Sequence, residues 1–242
     1  MNMVKALLNS LARDGILDAY IAVAAGLTVI SVCAQASQSI SSPGLSLEQS
    51  FTLVWQAILK SGFLLGVGFA LLAQGYLLSI PGRSGILSVR LTGSSSRARY
   101  VSCTLLVALL LLIVYLTGIV VTTVFQLKAW RLTEERFFSY AFASLTRLGM
   151  FLMFLMTLGI AFELVTGLPG AVGSLSWLLV ALELGGSLRD KNILASHMVF
   201  SLPQGVLGIR TPVSSLEWFL FASTLLCLSA LSIFSAERRD FR

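Results

Sequence analysis

The sequence predicts an all-α membrane protein with six transmembrane helices, and three observations lead to that prediction. Apolar residues make up 56% of the 242 residues and charged residues only 12%, against about 25% charged residues in an average soluble domain. Mean hydropathy is +0.88. Six stretches are long enough to cross the bilayer, which takes about 20 apolar residues. So few charges cannot cover a soluble surface, and disorder needs the opposite composition, so both classes are excluded.

The six predicted spans are separated by polar or proline-containing connections. They are 16–36, 51–80, 101–125, 137–165, 170–188 and 216–234, and the third carries no charge. The five prolines, Pro43, Pro81, Pro169, Pro203 and Pro212, all lie outside the spans, as expected because proline removes a helical hydrogen bond. Gly167-Leu168-Pro169-Gly170 predicts a tight turn between the fourth and fifth spans.

Three segments outside the spans are also predicted to form defined structural elements. Residues 4–13 place Val4, Leu7 and Leu11 on one helical face, which predicts an amphipathic helix at the membrane interface. Within the connection 81–100, the semi-apolar stretch 84–91 predicts a short helix against the inner membrane surface. The apolar stretch 193–209 has only 17 residues and contains a proline. It predicts a re-entrant or surface-lying element rather than a seventh span.

The distribution of basic residues predicts the orientation. The net charge is +6, and basic residues gather in cytoplasmic loops, where they meet anionic headgroups. The connection 81–100 has four arginines and no acidic residue, while 37–50 has no lysine or arginine. Both termini are therefore expected in the cytoplasm. Because the gathering of basic residues in cytoplasmic loops accounts for the positive net charge, nucleic acid is not expected as a partner.

Residues that carry common chemistries are scarce. His197 is the only histidine, so a metal centre built from two histidines is impossible, and an interfacial polar role fits it better than catalysis. The sequence has no GxSxG elbow and no GxxxxGK[ST] motif, so neither a hydrolase nucleophile nor a P-loop is indicated. Cys33, Cys103 and Cys227 lie far apart in apolar stretches, which predicts small buried side chains and no disulfide.

Charged residues are costly inside or at the ends of spans, and those of this chain include Lys60, Arg147, Glu163 and Glu183. Lys60 and Arg147 precede apolar runs and either extend to the headgroups or face a dimer interface or polar substrate path. Glu163 and Glu183 are expected to be boundary residues or hydrogen-bonding partners rather than substrate ligands.

Small residues within the spans permit helices to approach closely. Gly62 and Gly66 form a GxxxG pair, and Gly149 lies in the fourth span. Such motifs are common in membrane proteins, so they predict close packing and nothing more specific.

The layout of the chain resembles the membrane subunit of ABC-2 type transporters, the type V exporter permease fold. The resemblance covers nearly the whole chain through its size, its six spans, the interface helix 4–13 and the element 193–209. It also includes the connection from Ile80-Pro81-Gly82-Arg83 to Arg99 and the basic tail Ser235-Ala236-Glu237-Arg238-Arg239-Asp240-Phe241.

The resemblance implies a single permease domain over 1–242 and a dimer, homomeric or heteromeric, in the bacterial inner membrane. Two separate ABC ATPase subunits would bind ATP and Mg, and this chain would bind no cofactor and catalyse no reaction. Arg83, Ile86, Leu87 and Arg90 would contact the ATPase through a coupling helix. Lys60 and Glu183 would line the substrate path. Because that path is mostly apolar, the expected cargo is amphipathic or hydrophobic, and export is the expected direction.

Other functions remain open at this point. One is a non-catalytic membrane scaffold or assembly factor. Another is an intramembrane enzyme that uses His197 or the glutamates. An ion-driven carrier is a further alternative, although such carriers usually show inverted repeats and broken helices, which this sequence lacks.

Overall fold

The described part of the chain is helical except at Gly15 and Gly167. The computed structural model describes Gly15, Tyr20, Val23, Gly26, Ile30 and Gly62, together with the ranges 65–79, 97–129, 135–167 and 215–238. These ranges form α1 (Leu65–Leu78), α2 (Arg97–Ala129), α3 (Glu135–Thr166) and α4 (Ser215–Arg238). The last residues of α1 belong to a π-helical segment, Gly75–Ser79. The isolated positions Tyr20, Val23, Gly26 and Ile30 are also helical.

Three of the helices are long and apolar enough to cross a membrane. The qualifying stretches are Arg97–Thr122 in α2, Leu148–Thr166 in α3 and Trp218–Arg238 in α4. They coincide with the predicted third, fourth and sixth spans and support a membrane-spanning protein. The predicted fifth span, the interface helix 4–13 and the coupling helix 84–91 lie outside the described residues. The full six-span layout therefore stays a prediction.

The helix α3 lies at the centre of the packed helices. In its membrane-crossing stretch 67% of the residues are buried, against 33% in α2 and 17% in α4. The two outer helices instead expose large apolar side chains, among them Ile113, Val121, Phe219 and Leu226. In water such surfaces would be unusual for a monomer. They fit helices that face lipid on one side and α3 on the other.

Contacts around two glycines fix the relative directions of three helices. A Cβ placed on Gly62 would lie 3.3 Å from Ile119 and 3.4 Å from Leu148, and one on Gly66 would lie 3.1 Å from Tyr115 and 2.7 Å from Leu152. As the chain advances from Gly62 to Gly66, its neighbours move backward along α2 and forward along α3. Thus α1 runs antiparallel to α2 and parallel to α3. The end of α1, the start of α2 and the end of α3 therefore meet at one end of the bundle.

The same contacts confirm that these small residues permit close helix packing. At Gly66 the shortest contact of an added Cβ is well below ordinary van der Waals separation, and at Gly149 a Cβ would lie 3.0 Å from Leu116. Glycine lets the backbones approach because it has no side chain to separate them. By contrast, an added Cβ on Gly118 would meet nothing within 4 Å.

Serine and threonine hydroxyls in the helices donate hydrogen bonds to the carbonyl four residues earlier. They do so over 2.7–3.0 Å at Thr104, Thr117, Thr122, Thr146, Thr157, Thr166, Ser223, Thr224 and Ser232. A hydroxyl without a partner in hydrocarbon costs free energy, and this local bond removes that cost. The apolar spans therefore tolerate these polar residues.

The helix α3 ends at a glycine in the left-handed conformation. Gly167 has a φ of 67°, and its N–H donates to Glu163 O over 2.8 Å. This is the αL form of helix ending, which favours glycine. The break falls at the first residue of the predicted 167–170 turn; the other three residues of that turn lie outside the described part.

The cysteine prediction is only partly correct. Cys103 is half-buried and packs against the core, but Cys227 is exposed. The reason is the position of α4 at the edge of the bundle, where an apolar residue faces lipid as readily as protein. Cys33 lies outside the described residues.

Candidate functional site

Most residues that the sequence singles out for function lie outside the described part of the chain. These are Lys60, Arg83, Ile86, Leu87, Arg90, Glu183 and His197. Arg147 belongs to α3, but its side chain is not described. The proposed roles of all these residues stay predictions. Glu163 is the one residue from the set of charged candidates whose side chain is described.

Glu163 forms a buried hydrogen bond that joins two helices. Gln74 Nε2 in α1 donates to Glu163 Oε2 in α3 over 3.1 Å. The two residues are only 4% and 6% exposed. The sequence interpretation of Glu163 as a hydrogen-bonding partner is therefore confirmed. Interhelical hydrogen bonds in membranes contribute about 0.6 kcal/mol on average and up to about 1.7 kcal/mol, so this bond has a measurable part in holding α1 against α3.

The backbone of α1 changes its geometry directly after this contact. Gln74 is the last α-helical residue, and the π-helical segment Gly75–Ser79 begins at the next position. Single-turn π segments are rare and occur frequently at functional sites, because they interrupt the regular ladder of backbone hydrogen bonds. A Cβ on Gly75 would meet nothing within 4 Å. The polar contact thus fixes α1 immediately before a segment with irregular backbone geometry.

Two tyrosines bind the backbone of the same helical segment. Tyr20 Oη donates to the Leu65 carbonyl over 2.7 Å, and Tyr115 Oη donates to the Gly62 carbonyl over 2.9 Å. Phe69 stacks on the Tyr115 ring at a centroid separation of 4.9 Å and contacts the Tyr20 ring at 6.1 Å. Gly62 and residues 65–69 are therefore held by Tyr20 and by α2 at once.

Gly68 explains how Tyr20 comes so close. A Cβ at this position would collide with the Tyr20 hydroxyl. The absence of a side chain lets the ring approach the helix backbone far enough for its hydroxyl to reach Leu65 O. Tyr20 is thus fitted to this segment by shape as well as by hydrogen bonding.

A third tyrosine lies at the end of the bundle where Gln74 and Glu163 meet. Tyr100 is 2% exposed, and its hydroxyl has no hydrogen-bond partner among the residues that the structure describes. A buried hydroxyl group without a hydrogen-bond partner is destabilising. This end of the bundle therefore combines a carboxyl group, an amide and a phenol in apolar surroundings, with the cationic side chains of Arg97 and Arg99 at the start of α2.

The chemistry that the described residues show at this end is hydrogen bonding. Over the described ranges, no group of three or more His, Cys, Asp or Glu side chains is placed to hold a metal ion. The arrangement can fix α1 relative to α3 and can transmit a displacement between them. We call the Gln74–Glu163 contact, together with the π-helical segment that follows it, the polar junction.

The sequence contains a signal for the polar junction, but the signal can be recognised only once the contact between Gln74 and Glu163 is known. Gln74 is the sole amide or charged residue within Leu65–Leu78, and a single strongly polar residue in an apolar span usually finds a partner on another helix. Tyr20 and Tyr115 carry a similar signal, because a buried tyrosine hydroxyl usually needs an acceptor. Neither signal identifies the partner.

No protein-family model matches the sequence, and no curated protein matches it.

Proposed function

We propose that this chain is the membrane-spanning permease subunit of an ABC-2 type transporter, driven by ATP hydrolysis in a separate ATPase subunit. The observation that carries the proposal is the layout of the chain. A basic, proline-containing connection, 81–100, joins two apolar spans, and a basic tail follows the last one. The long apolar helices α2, α3 and α4 support its membrane location. In this proposal the chain is a multi-pass protein of the bacterial inner membrane with both termini in the cytoplasm.

The connection 81–100 provides the contact with the ATPase. Arg83 and Arg90 supply positive charge, and Ile86 and Leu87 supply an apolar surface. An ATPase cleft with acidic and apolar groups would bind both. ATP binding would then displace this connection, and two permease subunits would shift relative to each other. Discrete rearrangements of packed helices are a common way to convert such a displacement into a larger change.

The polar junction supports a route for that displacement. The π-helical segment Gly75–Ser79 directly precedes the connection 81–100. A movement of the connection therefore acts on the end of α1, and the Gln74–Glu163 hydrogen bond passes it to α3. Because α3 is the central helix, its displacement affects α2 and α4 as well.

The apolar character of the spans favours an amphipathic or hydrophobic substrate, such as a lipid or an apolar peptide, and export as the direction. Lys60 and Glu183 would be polar groups on its path. An ion-driven carrier or an intramembrane enzyme would need more polar groups in the spans. Gln74 and Glu163 are engaged with each other, which favours a structural role for Glu163 over a catalytic one.

The test is copurification with an ABC ATPase in the native host membrane. We expect an affinity-tagged chain to retain the ATPase, and the double substitution Ile86→Glu with Leu87→Glu to abolish that retention. The matched control is Leu45→Glu with Leu47→Glu, which adds the same charges to the connection predicted on the outer side.

Two results would contradict the proposal. One is a stable, monodisperse chain without any ATPase. The other is equal ATPase retention by the Ile86/Leu87 variant and the unmodified chain. A phenotype that persists when ATP hydrolysis by the copurified partner is abolished would instead favour a scaffold or assembly factor.

A further inference from the structure

A groove lies between the three long helices. It has a volume of about 290 Å³ and is lined by side chains from all three, among them Ser102, Leu109, Met153, Met156, Leu225 and Ser229. This volume is just below the range of small-ligand pockets, about 300–1,000 Å³. Flexible methionine and leucine side chains make the lining adaptable and mostly apolar.

The groove opens sideways onto the outer face of α2. Leu106 lines the groove and is also 46% exposed, and Ser102 at its end is exposed. The exposed face of the helix continues through Leu110 and Ile113. In a membrane this face contacts hydrocarbon, so the groove opens to lipid at Ser102 and Leu106.

A cationic side chain lies at the end of this face. Arg99 is exposed and precedes Ser102 by three residues and Leu106 by seven, a spacing that puts all three on the same helical face. At 1.5 Å per residue, Arg99 lies about 10 Å along the axis from Leu106. It is in the first turn of the membrane-crossing stretch, the level at which phosphate headgroups lie. Arg97 is at the same level but about 200° around the helix from Arg99.

We propose that the groove binds one acyl chain of an anionic phospholipid whose phosphate group binds Arg99. The apolar lining and the sideways opening match the acyl chain of such a lipid. The cation at headgroup level matches its phosphate group. An arginine binds phosphate with paired N–H donors and is favoured at such sites. This lipid site lies at the same end of the bundle as the polar junction but is formed by other residues, and it does not depend on the transport function.

The test uses the full chain in lipid nanodiscs that contain a photoreactive phospholipid. The probe is phosphatidylglycerol with a diazirine in one acyl chain, and the comparison lipid is phosphatidylcholine with the same chain. Labelled residues are identified by mass spectrometry. We expect the anionic probe to label 102–112 and 225–229 about fivefold more than the zwitterionic one, which is the effect of one basic residue on an anionic lipid.

Two pairs of variants separate the headgroup from the acyl chain. Arg99→Gln is expected to lower labelling by phosphatidylglycerol to the level of phosphatidylcholine, while Arg97→Gln, which removes the same charge at the same level, leaves it unchanged. Ser229→Phe fills the groove and is expected to lower labelling by both lipids. Ala230→Phe adds the same ring one residue later, at an exposed position, and serves as its control.

Three outcomes would overturn the proposal. They are equal labelling by the two lipids, equal effects of the two arginine substitutions, and replacement of lipid labelling by cross-links between two copies of the chain at 102–112. The last outcome would identify the groove as a subunit interface. If Ser229→Phe does not give a monodisperse protein, the arginine pair and the comparison of the two lipids still decide the matter.

Discussion

Replacement of Gly66 by alanine tests how closely α1 packs against its neighbours. The added Cβ would lie 2.7 Å from Leu152 Cδ1, and ordinary contact begins at 3.4 Å, so the methyl group is too close by about 0.7 Å. Leu152 is fully buried, and Tyr115, at 3.1 Å from the same Cβ, is buried and stacked on Phe69. Because both side chains are buried, moving either one away from the new methyl group displaces other packed atoms. Overpacking of this kind costs about 1–3 kcal/mol.

Gly118→Ala is the matched control, because an added Cβ there meets nothing within 4 Å. Both substitutions gain the higher helix propensity of alanine, up to about 1 kcal/mol, so their difference isolates the packing cost. We expect Gly66→Ala to have a free energy of unfolding about 1–3 kcal/mol lower than Gly118→Ala. The measurement is equilibrium unfolding in detergent micelles with increasing SDS, followed by circular dichroism. Stabilities equal within about 0.5 kcal/mol would refute the close packing.

A double substitution locates the collision. Leu152→Ala alone leaves a cavity and is expected to cost about 2–5 kcal/mol. When Leu152→Ala is combined with Gly66→Ala, the methyl group of the new alanine at position 66 occupies part of that cavity. The double variant should therefore lose less free energy of unfolding than the two single variants lose in sum, and the difference should be about 0.5–3 kcal/mol. Strict additivity would mean that the two residues are not in contact.

Three further predictions concern single side chains, measured by the same unfolding titration unless stated. Gln74→Leu removes the donor to Glu163 and is expected to lower the free energy of unfolding by about 1–2 kcal/mol; an unchanged value would show that the bond contributes nothing. Tyr115→Phe loses a buried hydrogen bond and should cost about 1 kcal/mol, whereas Tyr100→Phe removes a hydroxyl without a described partner and should be neutral or stabilising. The opposite order would contradict these hydrogen-bond assignments. Gly167→Ala puts alanine at a φ of 67° and should cost about 1 kcal/mol, seen as a lower midpoint of thermal denaturation. A midpoint equal to that of the unmodified chain would argue against the left-handed ending of α3.

The positions of the long helices could be predicted because hydrocarbon thickness and composition constrain them strongly. The predicted third span, 101–125, lies within α2, which begins earlier, at Arg97, and ends later, at Ala129. The difference arises because an apolar stretch stops at the first charge, whereas the helix continues into the headgroup region, where arginine and lysine are tolerated. The end of α3 at Gly167 could be predicted for a different reason, since a glycine with a proline shortly after it favours a helix end.

The polar junction could not be predicted, because its two residues are 89 positions apart. Helical periodicity describes one helix at a time and does not state which faces meet. The π-helical segment has no distinctive composition either, since GYLLS would fit an ordinary helix. The close contacts of Gly62 and Gly66 could be predicted as small-residue packing, but their neighbours on α2 and α3 could not.

The lengths of the long helices affect how the protein fits a bilayer. The helix α2 has 33 residues, α3 has 32 and α4 has 24. At 1.5 Å per residue these are about 50, 48 and 36 Å long, compared with about 30 Å of hydrocarbon. The helices α2 and α3 therefore have to tilt or extend beyond the hydrocarbon, whereas α4 has to do so much less. Bilayer thickness therefore acts mainly on the tilt of α2 and α3, so that lipids with longer chains should let them stand more upright and lipids with shorter chains should tilt them further.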